Sequence, residues 1–185
     1  VIRATHYHYL ISLYGDVPFF TKSVTEEERR SEGRTPWNEI ADFLIQDLEE
    51  ASAFLPWQAT EQGRIDKSYA LGLKARIALY AGSWHKEGFG KSAIKNQEKA
   101  NFYFDIAAKT SQRIIAESGR SLNPNFEDLF TRSGQLTGSS RAEIILGLSY
   151  SDQASRKYHY QSFGEIARTV GGQSGRFPTQ LLVDT

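Results

Sequence analysis

The chain contains no cysteine and no methionine among its 185 residues. The first absence excludes disulfides, thiolate chemistry and cysteine-type zinc sites. It fits either a reducing compartment or a secreted chain that holds together without bridges. The second leaves no initiator residue. The sequence also opens on VIRATHYHYL, already in helical pattern and uncapped, and stops at LLVDT without a closing signal. It therefore reads as an internal piece of a longer polypeptide. An excess of charge of either sign is missing as well: 22 basic residues balance 22 acidic ones. With neither basic excess nor basic clustering to release counterions, a nucleic-acid or anionic-membrane partner is not favoured. No apolar run is long enough to span a bilayer and no signal peptide is visible.

What is present suits one domain with its own core: 39% of residues are hydrophobic and 24% charged. Aromatic residues reach 12%, and several fall in stretches rich in glycine and polar residues. Helical spacing dominates the first two thirds of the chain. Ile2, His6, Tyr9, Leu10 and Leu13 form one face, and Tyr7, Ile11 and Tyr14 widen it, so neighbours are expected on both flanks. Tyr14-Gly15 reads as a helix stop and Asp16-Val17-Pro18 as a fixed turn. KSVTEEERRSEGR reads as a solvated loop. Thr35-Pro36 looks like an N-cap followed by proline at the first helical position. Trp37, Ile40, Ala41, Leu44, Leu48, Ala51 and Leu55 then step by three or four, with Asp42, Asp47, Glu49 and Glu50 on a hydrated face.

A third helix runs from Ser68 to Trp84, where Gly72, Ala75, Ala78 and Ala81 are small enough for another helix to approach closely. A fourth spans Asn101 to Ser118, with Gly119 at its C-terminal stop. After Gly119 the pattern becomes irregular; EIILGLSY reads as a short extended segment near 143–150. Helices starting near residues 1, 36, 66 and 98 suggest antiparallel pairs stacked as a solenoid. A standard tetratricopeptide unit fits two helices into about 34 residues, where this chain has one. The expected fold is mainly α: an irregular tetratricopeptide-like helical-repeat scaffold with long loops, a single domain over 1–185 that is incomplete at both ends.

Motifs that carry chemistry are sparse. GFGKS, Gly88 to Ser92, lacks the spacing and the preceding strand of a phosphate loop. His6 and His8 stand two apart and point in different directions on a helix, so no metal site is expected. No G-x-S-x-G elbow occurs, and no acid sits in an apolar segment that would raise its pKa for glycosidic work. What remains is aromatic side chains at helix ends and in loops. Such rings can pack on the apolar faces of sugars while amide, Arg and Asp groups hydrogen-bond the hydroxyls. The stretches where aromatics, amides and glycines coincide single out Trp84, His85, Phe89, Tyr158, Tyr160, Gln173 and Arg176 as candidate glycan contacts. For any one ring, capping the core from outside is the commoner role.

RATHYHYLISLYGDVPFF resembles the signature of the SusD/RagB family of surface glycan-binding lipoproteins. RTPWNEIADFLIQDLEEASAFLP, GRIDKSYALGLKARIALYAGSW, FDIAAKTSQRIIAESGRSLNPNFEDLF with AEIILGLSY, and FPTQLLVDT follow in the family's order. The resemblance implies a tetratricopeptide-like scaffold at the outer membrane of a Gram-negative cell. It implies delivery of captured glycan to a SusC-like TonB-dependent transporter, with no catalysis and no cofactor. The family's lipid anchor rests on an N-terminal cysteine, so here it is expected upstream of Val1 and would provide the only membrane contact. Phe19 and Phe20 are then expected to run inward and seal a junction between helices. Arg3 should be partly buried and paired with a carboxylate or with carbonyls. The rival reading is a helical-repeat scaffold that binds a protein; a glycoside hydrolase ranks third.

Overall fold

Gly15 ends the first helix, and the chain just beyond it organises the second long one. The computed structural model describes residues 1–61, 63–88, 95–129 and 142–146. By contacts the chain divides into Val1–Gly147 and Leu148–Thr185, and all described residues belong to the first unit. Helix α1 covers Ile2–Tyr14; at Gly15, φ is +70° and the amide donates to Ile11 O at 2.9 Å. That left-handed backbone favours glycine, which has no Cβ to clash.

The turn that follows caps another helix. Asp16 Oδ1 accepts from the Trp37 amide at 2.9 Å, and Val17 and Thr35 exchange backbone hydrogen bonds of 3.3 and 2.9 Å as an isolated antiparallel bridge. The expected Thr35 cap is therefore corrected. Pro36 holds the N-cap position, α3 starts at Trp37, and the capping oxygen comes from Asp16, 21 residues upstream. Thr35 spends its backbone on the bridge instead. Phe19 then enters between Tyr7 (4.7 Å, edge-on) and Phe43 (5.0 Å, edge-on), and the Phe20 amide donates to the Tyr7 hydroxyl at 2.9 Å. Two aromatics follow a stop signal because the chain turns back onto the α1–α3 junction.

The loop reading of KSVTEEERRSEGR also changes: Glu26–Ser31 forms a short helix, α2, with no buried residue. Thr25 and Glu28 make a reciprocal capping box, which satisfies amide groups that a short helix leaves open. The remaining helices are α3 (Trp37–Ala53), α4 (Lys67–Glu87) and α5 (Gln97–Glu117), followed by a 3-10 turn at Phe126–Leu129. Asp66 and Asn96 cap α4 and α5 through their side chains, Gly88 closes α4 at φ +77°, and Gly119 follows α5 at φ +68°.

Contacts between ends fix the helix directions. Trp37 at the start of α3 meets Trp84 near the end of α4, and Glu49 meets Lys74 midway, so α3 and α4 are antiparallel. His85 meets Tyr103, while Asp66 and Ser68 reach Arg120, so α4 and the α5 segment are antiparallel too. The core is apolar and continuous: Ala4, Ile11, Trp37, Ile40, Leu44, Leu48, Ile77, Ala78 and Ala81 are buried together. Of the extended segment near 143–150, the described part is helical at Ala142–Glu143 and bends at Ile145–Leu146; the rest lies outside the described residues.

Two expectations about helix faces are revised. α1 is covered on one side only, leaving Ile2, Tyr9, Leu13 and Tyr14 more than 60% exposed. The acids of α3 are not simply hydrated. Asp47 pairs with Arg3, Asp42 accepts from Tyr103, and Glu49 bridges Lys74 and Arg113. They flank the buried stripe, where a carboxylate reaches the neighbouring helix without being submerged.

Candidate functional site

Of the seven candidate contacts, Trp84 and His85 are described; Phe89, Tyr158, Tyr160, Gln173 and Arg176 lie outside the described residues. Trp84 and His85 occupy consecutive positions in the last turns of α4, where the starts of α3 and α5 converge on them. The Trp84 ring packs 5.2 Å from Trp37 and 4.9 Å from Tyr80. His85 is 3% exposed, stacked on Tyr103 at 5.5 Å with an interplanar angle of 4°, and tilted against Trp37 at 5.2 Å. Its carbonyl accepts from the Asn96 amide at 2.8 Å, which closes the α4–α5 connection. His85 as a glycan contact is therefore corrected: the ring is a core element, and α5 stands between it and solvent. Trp84 is half-buried and completes the inner face of α4.

The polar groups around this aromatic knot are committed to the fold. Tyr80 donates its hydroxyl to Ile11 O at 2.9 Å, and Tyr103 donates to Asp42 Oδ1 at 2.6 Å. Burial pushes both phenols well above the ordinary tyrosine value, and the Asp42 carboxylate adds to the effect at Tyr103. Neither is suited to giving up its proton. His8, edge-on to Tyr80 at 5.6 Å, is pushed down by burial and then by Arg76. Glu49 is pushed down too, first by its hydrogen bond from Lys74 and also by Arg113, against an opposing effect of burial. A general acid for glycoside hydrolysis needs a carboxyl shifted the other way.

Exposed aromatic rings do occur in the described residues, but on separate elements: Tyr9 and Tyr14 on α1, Phe43 on α3, Phe54 after it, Phe102 on α5 and Phe126 in the 3-10 turn. Phe102, 60% exposed, lies beside Asn101, whose Oδ1 accepts from Gln97 Nε2 at 2.8 Å. In the sequence Phe102 is marked only by standing off the inner stripe of α5. Arg3 meets its expectation: it pairs with Asp47 at 2.9 Å, donates to Thr21 O at 3.1 Å and covers the Phe43 ring at 5.2 Å, with 34% of its side chain exposed. Among the described residues no helix is long and apolar enough to cross a membrane.

Helices of this length, stacked antiparallel with irregular connections, define a tetratricopeptide-like scaffold. The comparisons with known proteins find the same scaffold in SusD-like proteins. The SusD-like protein P25 of Formosa agariphila is 26% identical over 180 residues, which is 96% of this chain and 28% of the relative. The SusD-like protein P2 of the same organism is 26% identical over 170 residues, 91% of this chain and 29% of the relative. A crystal structure of a SusD-like carbohydrate binding protein from Bacteroides fragilis superposes with a TM-score of 0.62 at 27% identity, over 80% of this chain and 25% of that one. A second SusD-like protein from the same species has the same fold, with a TM-score of 0.61 at 22% identity over 82% of this chain and 26% of that one. No family model matches the chain. The resemblance to the SusD/RagB family carried by the ordered motifs is borne out, as is the mainly α, tetratricopeptide-like architecture. The chain spans just over a quarter of the length of the curated relatives it matches.

Proposed function

We propose that this chain is part of a non-catalytic glycan-binding protein, held at the outer-membrane surface by a lipid anchor, that captures oligosaccharide and passes it to a SusC-like TonB-dependent transporter. The observation that carries the reading is the likeness to a SusD-like carbohydrate binding protein at 27% identity and a TM-score of 0.62, in a chain whose motifs run in the family's order. The carboxylates support non-catalysis. Asp42, Asp47, Glu49 and Asp66 are each tied to a partner on another segment, and Glu49 is more acidic than usual, not less.

The contacts to sugar are assigned to Phe89, Tyr158, Tyr160, Gln173 and Arg176, with Trp84 contributing at most its outer edge. Stacking and a few hydrogen bonds against a well-hydrated ligand give affinities of roughly micromolar to millimolar. The test screens the full-length protein on a glycan array, then titrates the best ligand into Tyr158→Ala, Tyr160→Ala and Arg176→Ala variants. At least one variant is expected to lose most of the binding. Parent-like binding by all three puts the site elsewhere, and no glycan bound by the parent overturns the reading. Release of reducing ends that an acid-to-amide change abolishes would make the protein a hydrolase.

One observation favours a second reading, a helical scaffold for a protein ligand. The outer face of α1 presents Ile2, Tyr9, Leu13 and Tyr14 to solvent, an apolar stripe of the kind a partner helix covers.

A further inference from the structure

Helix α1 has two unlike sides. The inner one meets α3 and α4: Ala4 and Ile11 are fully buried, the Tyr80 hydroxyl donates to Ile11 O at 2.9 Å, and Thr5 Oγ1 lies 3.1 Å from the Tyr69 hydroxyl. The outer one presents Ile2, His6, Tyr9, Leu10 and Leu13. Ile2, His6, Tyr9 and Leu13 follow one another at steps of four, three and four residues, the spacing of a seam between two helices. At 1.5 Å of rise per residue the stripe is about 16 Å long, or three turns.

Little on that side is equipped to face water. Arg3 is the one residue of α1 with a fixed charge, and it reaches α3 to pair with Asp47 at 2.9 Å. The Ser12 hydroxyl donates to Tyr9 O of its own helix at 2.9 Å. A solvated helix face in this chain looks different. On α5, Phe102 and Ile115 stand exposed among Glu98, Asp105, Lys109 and Glu117, with Asp105 and Lys109 paired at 2.7 Å. In stacked helical scaffolds the terminal helix needs a polar outer face to stay soluble. The composition of α1 is the opposite, that of an inner helix in a longer stack.

Charge and chain length bear on what covers it. An interfacial helix on a membrane carries Lys and Arg beside its apolar face, and the exposed residues of α1 include neither. The matched segment makes up 28% and 29% of the two Formosa relatives and 25% and 26% of the two Bacteroides structures. Most of such a protein therefore lies outside residues 1–185, tethered to α1 at high effective concentration.

We infer that the outer face of α1 is an intramolecular docking surface: in the full-length protein an amphipathic helix from outside residues 1–185 lies along Ile2, His6, Tyr9 and Leu13. A charge in the facing stripe would find no partner on α1, so that stripe is aliphatic or aromatic. The packing is independent of whether the protein binds glycan.

The experiment follows maleimide labelling of single cysteines in the purified full-length protein, with the parent as blank and each rate normalised to the same variant in urea. Tyr9→Cys and Leu13→Cys report the outer face of α1, and Lys109→Cys reports a comparably exposed site on α5. The two α1 sites are expected to react more than about tenfold more slowly than Lys109→Cys, as sites that must open locally before they label. That protection should not change on dilution. Where a cysteine variant folds poorly the thermal melt decides: Leu13→Lys should lower the midpoint and Lys109→Ala should leave it in place. Labelling of the α1 sites at the Lys109→Cys rate overturns the proposal, as does a Leu13→Lys protein that melts with the parent. Protection that fades on dilution identifies a second copy as the occupant, and protection that appears only when another protein is added identifies a separate partner; either result overturns the intramolecular assignment.

Discussion

Gly72 and Gly82 both lie inside α4, and the structure sets opposite outcomes for the same substitution. A Cβ at Gly82 would stand 2.7 Å from both Cδ1 and Cε1 of Phe104 and 3.1 Å from the carbonyl oxygen of Ala100. Carbon pairs settle at about 3.5–4.0 Å, so the ring would have to retreat by about 1 Å. The Ala100 oxygen belongs to the α5 backbone and cannot step aside alone. Overpacking of this kind costs about 1–3 kcal/mol. The gain in helix propensity from Gly to Ala offsets about 1 kcal/mol of that. Gly82→Ala is therefore expected to destabilise by about 0–2 kcal/mol net. At Gly72 a Cβ meets only Ile145 Cδ1 at 3.8 Å, an ordinary contact. Gly72→Ala should keep the propensity gain and stabilise by about 0.5–1 kcal/mol, partly through the unfolded chain. Urea denaturation of both variants provides the assay, with Phe104→Leu added to Gly82→Ala to recover part of the loss. A Gly82→Ala protein stabilised as much as Gly72→Ala would refute the close α4–α5 approach.

Asp16→Ala should cost about 1–2 kcal/mol by uncapping α3, whereas Thr35→Ala should cost only a few tenths; the same denaturation series ranks them. His8 is pushed below its ordinary value of 6.5, so the native state resists protonation that the unfolded chain accepts. Its effect on stability is absent above about pH 7 and grows as pH falls from about 6.5 towards the lower native value. Thermal melting between pH 7.5 and about 5 should therefore decline less steeply in His8→Gln than in the parent. Glu49 accepts from Lys74 at 2.6 Å and from Arg113 at 2.8 Å with 44% of its side chain exposed, so Glu49→Gln should cost about 1 kcal/mol after solvent screening. Its carboxyl is held below 4.5, so that contribution is complete above pH 4.5 and fades as pH falls through the native value; a parallel acid profile in Glu49→Gln would contradict it.

The helices were legible because burial imposes a period. Trp37, Ile40, Ala41, Leu44 and Leu48 follow that period, and all are at most 1% exposed. What the sequence could not supply were partners distant along the chain. In sequence Asp16 reads as part of a turn and Thr35 as a cap, because capping preferences are local while the observed cap spans 21 residues. The small residues Gly72, Ala75, Ala78 and Ala81 correctly marked α4 as a helix that others approach, yet the tightest approach falls at Gly82, which the spacing did not single out. Periodicity shows that a face is apolar without showing which neighbour covers it. α1 illustrates the same limit, since its sequence is apolar on two sides and only one is covered.

The candidate site was legible in a different and weaker sense. Trp84 and His85 stand out by composition, aromatic rings at a helix end beside glycines, and that is also the composition of a core closing over itself. The structure separates the two cases at His85, whose ring is sealed between Trp37 and Tyr103. Long-range polar ties run through both α3 and α4: Arg3 reaches Asp47, Tyr103 reaches Asp42, Glu49 reaches Lys74 and Arg113, Thr5 reaches Tyr69, and Ile11 reaches Tyr80. A scaffold tied this thoroughly to two helices can tolerate change in its connections, because loop substitutions leave the core and its ion pairs intact. Residues that bind a ligand follow no period and no fixed motif, so a sequence offers residue types for them but no geometry. That is why five motifs in order point to the scaffold while the candidate contacts rest on composition alone.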